Sequence, residues 1–498
     1  MKSLKLVTRI VIVAAFAGAI YFFGPAASEF LPTQTASVLP FPKITTGKTD
    51  RAQPLTTDAL KIAIGKMRLL SPKRAAPADV TSLELMALGK RFFFDQNFSS
   101  NGQVSCATCH QPEKSFTDGR ATAVGLATTG MNTPTLVNSY FGQWFFWDGR
   151  ADSLEAQALG PVENPKEHGF TRVQVARRIQ SNYKKEYDAL FGKMFGKLPA
   201  NLPTNPAVGT PAPTRSLISN EVAAYALATL GSPTFQKKIL RTAQSQSTQP
   251  VEILRLVSAG PDVPPTSFDQ LPESQKSEIN RIFANFGRAL AEFERSIEST
   301  DSPFDLFVDR VSEPANKNKP LADSFVAGFG AAELRGLELF TGRGKCTLCH
   351  QGSHFTDQQF HNIGLMPVFE DQVNLGRAQG MLMARDSEFN CRGKYLNQAT
   401  PSEGCLEIEY LETESAEAVG AFKTPTLRNL RDTGPYGHDG RFAQLNDILR
   451  HYNHLKKPPA VGHTEEMLVP LDFTEVELHD LELLLISLSG SVKFFKGG

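Results

Sequence analysis

An excess of one charge is missing from this chain. Its 498 residues carry 52 Lys+Arg against 52 Asp+Glu. That balance excludes an electrostatic nucleic-acid binder, whose phosphate contacts need a basic excess. Long hydrophobic runs are also scarce. The only membrane candidate is residues 10–24, so a polytopic membrane protein is excluded. Cysteine occurs six times, too few for a disulfide scaffold at this length. What remains is an ordinary globular balance, 41% hydrophobic and 21% charged, in a chain long enough for two or three domains.

The N-terminus reads as an export signal. Residues 1–9 (MKSLKLVTR) carry three positive charges and no acid, residues 10–24 (IVIVAAFAGAIYFFG) are apolar, and Gly24, Ala26, Ala27 and Ser28 are small. This is the order of basic region, apolar region and cleavage site. The competing reading is an uncleaved single-span anchor to the inner membrane, with Leu6 and Val7 lengthening a run shorter than the ~20 residues of a span. Either way the basic end stays inside and the remainder is exported to the periplasm. Residues 29–80 read as a tether with one short helix near 58–70. A Pro-rich insertion is expected near 198–275.

The placement of the cysteines carries the chemistry. Cys106-Ala-Thr-Cys109-His110 and Cys346-Thr-Leu-Cys349-His350 are both C-x-x-C-H, the attachment motif of c-type haem. Two thiols add to the two vinyl groups of one haem, and the adjacent imidazole then lies under the iron. Roughly 0.001 chance matches are expected at this composition, so two are not accidental. A thioredoxin-like dithiol and half a zinc site are the bland alternatives. Cys391 and Cys405 flank a 13-residue segment, and a disulfide is their expected state in an oxidising compartment.

The two motifs sit in a repeat. LGKRFFFD, CATCHQPEKSFTD, NTPTLVN and WDGRADSLEAQALGP of the first copy match RGLELFTG, CTLCHQGSHFTD, KTPTLRN and HDGRFAQLNDILRHY of the second. Pro134 to Asp148 and Pro425 to Asp439 are both 14 residues. Helical periodicity dominates, as in 277–300, 331–342 and 474–490, and no alternating strands appear. The expected fold is mainly α: two tandem c-type cytochrome domains, each with one covalent haem, related by internal duplication. The expected boundaries are 1–28 (signal or anchor), 29–80 (tether), 81–315 (N-terminal haem domain) and 316–498 (C-terminal haem domain).

Registering the copies on DGR pairs Trp147 with His438 and Pro161 with Tyr452. If the halves are pseudo-symmetric, Pro161 and Tyr452 lie over equivalent irons. Pro cannot ligate iron and Tyr can, so the first haem should be open and the second closed. His451 and His454 flank Tyr452, but helical side chains point ~100° apart per residue, so one of the three faces the iron. The register selects Tyr452.

Together with NTPTL, FWDGRADSLEAQALGPVENPKE, FERSIESTDSPFD, FHNIGL, FKTPTLRN and PYGHDGRF, these motifs resemble the di-haem bacterial cytochrome c peroxidase/MauG family over about residues 84–170 and 277–490. The resemblance implies a peroxide-reacting N-terminal haem and an electron-transferring C-terminal haem. It makes His110 and His350 the proximal iron ligands and places Trp147 between the haems. Gln157, Pro161 and Glu167 become the distal pocket, and Asn132, Thr433 and Pro435 the ligands of one calcium between the domains. Two departures lean toward the MauG-like branch. Leu126 stands where typical peroxidases carry a capping His, and Tyr452 stands where they carry Met.

Three functions follow. The first is a peroxidase reducing hydrogen peroxide to water with electrons from a small exported donor, such as a cytochrome c or cupredoxin. The second is a MauG-like enzyme that uses peroxide to oxidise or modify a partner protein at long range. The third is a non-catalytic electron-transfer cytochrome. No nucleic-acid partner is expected.

Overall fold

The computed structural model describes residues 57–67, 80–203, 220–229, 268–365, 374–396, 405–411, 415–455 and 461–496. The export segment, much of the Pro-rich insertion and part of the acidic run after Cys405 lie outside them. No described helix is long and apolar enough to cross a membrane. The architecture is mainly helical, with four short strands among the described residues.

Two apolar cores organise the unit that spans 51–498. In the first, helix Glu273–Glu294 buries Ile279, Ile282, Phe283, Phe286, Ala289, Leu290 and Phe293, a three- and four-residue spacing that forms one continuous stripe. Helices Val80–Phe94 and Leu154–Glu163 pack on that stripe. Each fully buried Phe removes an apolar ring from water, worth about 1.5–3 kcal/mol. In the second core, helices Ala331–Thr341 and Glu475–Ser487 pack together. Helices Thr57–Met67, Pro303–Ser312 and Leu445–His454 complete it.

A glycine permits the main helix crossing in each core. A Cβ on Gly89 would lie 1.7 Å from the Ala289 carbonyl oxygen, and one on Gly336 would lie 2.2 Å from that of Asp480. These are equivalent glycines of LGKRFFFD and RGLELFTG, so Gly89→Ala or Gly336→Ala would force the helices apart.

The structure differs from the sequence reading in three places. The periodicity over 277–300 predicts helix to its end, but the helix stops at Glu294. Glu298–Thr300 instead pairs antiparallel with Ser491–Lys493, because the chain end supplies a strand partner that periodicity cannot reveal. Helix Pro303–Ser312, assigned by sequence to the first domain, buries Phe304, Phe307 and Val308 in the second core. The helix within the expected tether, Thr57–Met67, buries Leu60, Ile64 and Met67 in that core, and Arg428 donates to the Met67 carbonyl at 2.9 Å.

Candidate active site

A cavity of about 1030 Å³ is lined by residues of both copies. Cys109 and His110 reach it from the first motif, and Cys346, Cys349 and His350 from the second. Each motif makes one tight turn in which the His backbone N–H donates to the carbonyl of the first Cys, at 2.9 Å for His110 and 2.8 Å for His350. The imidazoles are then fixed from behind. His110 Nδ1 lies 3.0 Å from the Phe116 carbonyl oxygen and His350 Nδ1 lies 2.9 Å from that of Phe355. A carbonyl only accepts, so Nδ1 carries the proton and Nε2 keeps its lone pair for a metal.

Both phenylalanines adopt left-handed backbone, φ 57° and 52°, although their rings are fully buried. Bulky residues rarely hold that conformation. Here the packed ring holds it, and it aims the carbonyl at the histidine.

These residues fit a pair of c-type haems. The four motif thiols are free, whereas Cys391 and Cys405 are joined in a disulfide. Burial pushes the Cys109 and Cys346 thiols up to about 12, opposite to what a reactive dithiol needs. Burial also holds both imidazoles neutral.

Helix Leu154–Glu163, which lines the same cavity as His110, starts at the Ser153 cap, whose hydroxyl accepts from Ala156 N–H at 3.1 Å. Gln157 and Pro161 are one turn apart on it, and both line the cavity. Gln157 Oε1 is buried without a hydrogen-bond partner, an acceptor available to a ligand. Glu167 sits in the following turn, its N–H bonded to the Asn164 carbonyl, and Asn164 Nδ2 donates to Glu167 Oε1 at 2.6 Å. Burial raises the Glu167 carboxyl above the ordinary range, against the opposing effects of Arg150 and Asn164. The Glu167 carbonyl accepts from Leu126 N–H at 3.0 Å, which pins the loop carrying Leu126.

In the second copy, helix Leu445–His454 presents Leu445, Ile448, Leu449 and Tyr452 to the cavity. His451 Nε2 lies 2.8 Å from the Ile363 carbonyl oxygen, and His454 is exposed. Burial, then the nearby Cys346 and Cys349, raises the Tyr452 hydroxyl, so the chain alone keeps it protonated.

The copies are stitched by reciprocal bonds. Asn132 N–H donates to the His438 carbonyl at 2.9 Å, and Lys423 N–H donates to the Trp147 carbonyl at 2.8 Å. Trp147 Nε1–H donates to the Asn132 carbonyl at 3.0 Å, and its ring centroid lies 6.5 Å from that of His438. His438 stacks on Phe422, and burial lowers it to about 4, so it is neutral. Thr433 and Pro435 line the same cavity as Asn132.

Sequence reasoning passed over Asn164, although its place three residues before Glu167 in ENPKE is the spacing of a side-chain-capped turn. It also passed over Arg377, which no motif marks. Of the unassigned histidines, His168 bonds the Phe98 carbonyl, His463 bonds Tyr225 and His479 is exposed. His354 packs against Phe141 with ring centroids 3.6 Å apart, and His361 is held between Asp357 and Glu465.

Comparison with known proteins agrees with this chemistry. A family model described as di-haem cytochrome c peroxidase matches residues 83–236. The methylamine utilization protein MauG of Methylorubrum extorquens is 29% identical over 408 residues, covering 81% of this chain and 78% of that protein. The cytochrome-c peroxidase IdrP1 of Denitromonas iodatirespirans is 26% identical over 428 residues, covering 84% and 85%. A solved MauG-like protein associated with microbial copper homeostasis aligns at 21% identity and a TM-score of 0.49, covering 82% and 89%. With both attachment motifs brought to one cavity and relatives of both kinds matching along most of its length, the chain is similar to the di-haem cytochrome c peroxidase/MauG family.

Proposed function

We propose that the protein reduces hydrogen peroxide at the N-terminal haem, with electrons passed through the C-terminal haem from a small exported redox protein. The observation that carries this is an asymmetry in the cavity lining. Pro161, an orphaned Gln157 oxygen and a half-buried Glu167 line it from helix Leu154–Glu163 and the turn after it, whereas the register-equivalent helix Leu445–His454 lines it with Tyr452. An electron carrier has no use for an open face lined by an acid–base group.

A haem held by His110, Cys106 and Cys109 would supply iron for reductive cleavage of peroxide, and one held by His350, Cys346 and Cys349 would supply the electron relay. The chain does the rest. Glu167 would take a proton from one oxygen of hydrogen peroxide and return it to the other, which leaves as water. Gln157 Oε1 would accept a hydrogen bond from hydrogen peroxide in the cavity and orient it. Two further protons and two electrons complete the conversion to two waters. Asn164 holds the carboxylate in place, and Trp147 occupies the gap between the copies as the electron bridge.

The reciprocal bonds of Asn132 with His438 and of Lys423 with Trp147, and the matched glycine crossings, support an internal duplication with one haem in each half. A calcium at Asn132, Thr433 and Pro435 belongs to the same reading. So does export to the periplasm, which the Cys391–Cys405 disulfide favours.

Tyr452 and Leu126 favour a second reading, a MauG-like enzyme that turns peroxide on a partner protein. Peroxide titration of the ferric protein, followed by optical and EPR spectra, tests the primary proposal. A high-spin haem that reacts without prior reduction is expected. A purely low-spin, unreactive protein would leave only the electron-transfer cytochrome.

A further inference from the structure

The chain has two tryptophans, Trp144 and Trp147, and both line the cavity. Their surroundings differ in sign. The Arg377 guanidinium carbon lies 3.9 Å from the Trp144 ring centroid, and the Phe360 ring lies 4.0 Å from the same carbon. Arg377 is buried. Its side chain donates to the Gly149 carbonyl at 2.7 Å, and among the described residues it forms no ion pair. Asp148 and Glu407 act on it through space, but the Asp148 carboxylate is taken by Arg150 through two bonds of 2.9 Å. Gly149 is required for this seat, because a Cβ there would lie 2.4 Å from Arg377 Nη1 and 2.3 Å from the Phe360 ring. Among the described residues no cation stacks on Trp147, whose Nε1–H is bonded to a neutral carbonyl.

A cation over an indole face stabilises the neutral ring and opposes its loss of an electron, since the product is a positive charge held against another. Burial of an unpaired guanidinium is itself costly, so stacking on Trp144 and Phe360 is what it has in exchange for solvent.

We propose that Arg377 insulates Trp144, keeping it from being oxidised so that oxidising equivalents reach Trp147 alone. This rests on the peroxide reading above. Without the guanidinium, the Trp144 indole gives one electron to the haem system that peroxide has oxidised. The indole radical, its proton lost to solvent, adds dissolved dioxygen; the peroxyl radical takes a hydrogen atom from a second hydrogen peroxide, which leaves as a hydroperoxyl radical, and the hydroperoxide rearranges to N-formylkynurenine, both of whose added oxygens come from the dioxygen. The register supports a specific device: Trp144 corresponds to Pro435 in the second copy, so only the peroxide-reacting half carries an aromatic that needs insulating.

The test uses the two-haem holoprotein exposed to excess peroxide without donor, with the adduct at each tryptophan quantified by peptide mass spectrometry. In the wild type, Trp147 should carry about tenfold more adduct than Trp144. Arg377→Gln should raise the Trp144 adduct about tenfold with both haem spectra intact, and Arg377→Lys, which keeps the charge, should remain near wild type. Equal oxidation of the two tryptophans in the wild type would overturn the proposal. So would Gln and Lys variants that behave alike, since a packing role does not depend on charge. Near-ultraviolet illumination under air ejects an electron from indole without peroxide and should give the same ranking. If peroxide leaves the wild-type haem spectra unchanged, the peroxide reading fails and the illumination result alone decides the role of Arg377.

Discussion

Asn164 Nδ2 donates to Glu167 Oε1 at 2.6 Å inside the turn that follows helix Leu154–Glu163. The contact fixes which carboxylate oxygen remains for the cavity. It also offsets part of the rise in pKa that burial imposes on Glu167.

Glu167→Gln should leave both haems bound and slow the first peroxide step by ~10²–10⁴-fold, the usual worth of a positioned acid–base group. Stopped-flow formation of the first oxidised species measures it, and an unchanged rate would remove Glu167 from the chemistry.

The same residue sets a pH dependence. A base works ionised, so the peroxide step should accelerate as pH rises through the raised Glu167 pKa and fail below it. Asn164→Ala removes an interaction that lowers this pKa, so the rising limb should move to higher pH. A limb that stays in place would show that Asn164 does not touch the titrating group.

Tyr452→Phe should open the sixth position of the second haem and convert its low-spin EPR signal to high spin. His451→Gln should leave that signal alone, because His451 is turned to the Ile363 carbonyl. The reverse pattern would make His451 the ligand. Tyr452→Met should raise the potential of that haem, since a hard anionic oxygen favours ferric iron and a thioether does not.

The covalent haem count is a direct check. Intact mass should exceed the chain by two haems, and Cys106→Ala with Cys109→Ala should remove one. A single haem in the wild type would end the di-haem reading.

Glu294 is buried in the first core with one carboxyl oxygen unbonded, and burial raises it to about 8. The folded state therefore keeps a proton that the unfolded chain releases above pH 4.5. The stability present below that pH is lost progressively up to about pH 8. Glu294→Gln should flatten that decline and raise the melting temperature at neutral pH. Thermal melts of the holoprotein across this window would sink the idea if the two proteins ran parallel.

The amino-acid sequence by itself determined the attachment chemistry, the repeat and the pairing of Pro161 with Tyr452, because these are matters of local spacing. Cys-x-x-Cys-His is one turn of chain, and the DGR register counts residues along one loop and helix. The preference for Tyr452 over His451 came from helical spacing together with that register. Tertiary structure decided what depends on distant partners. Strand Glu298–Thr300 exists because the chain end at Ser491–Lys493 lies beside it, so periodicity alone extended the helix too far. Helix Thr57–Met67 joins the second core because Phe304 and Phe307 offer it an apolar face more than 230 residues away in sequence. Arg377 lies on Trp144 only because the segment after the second motif folds back across the first. No local pattern encodes such contacts, since their energy comes from groups that meet only once both cores have formed.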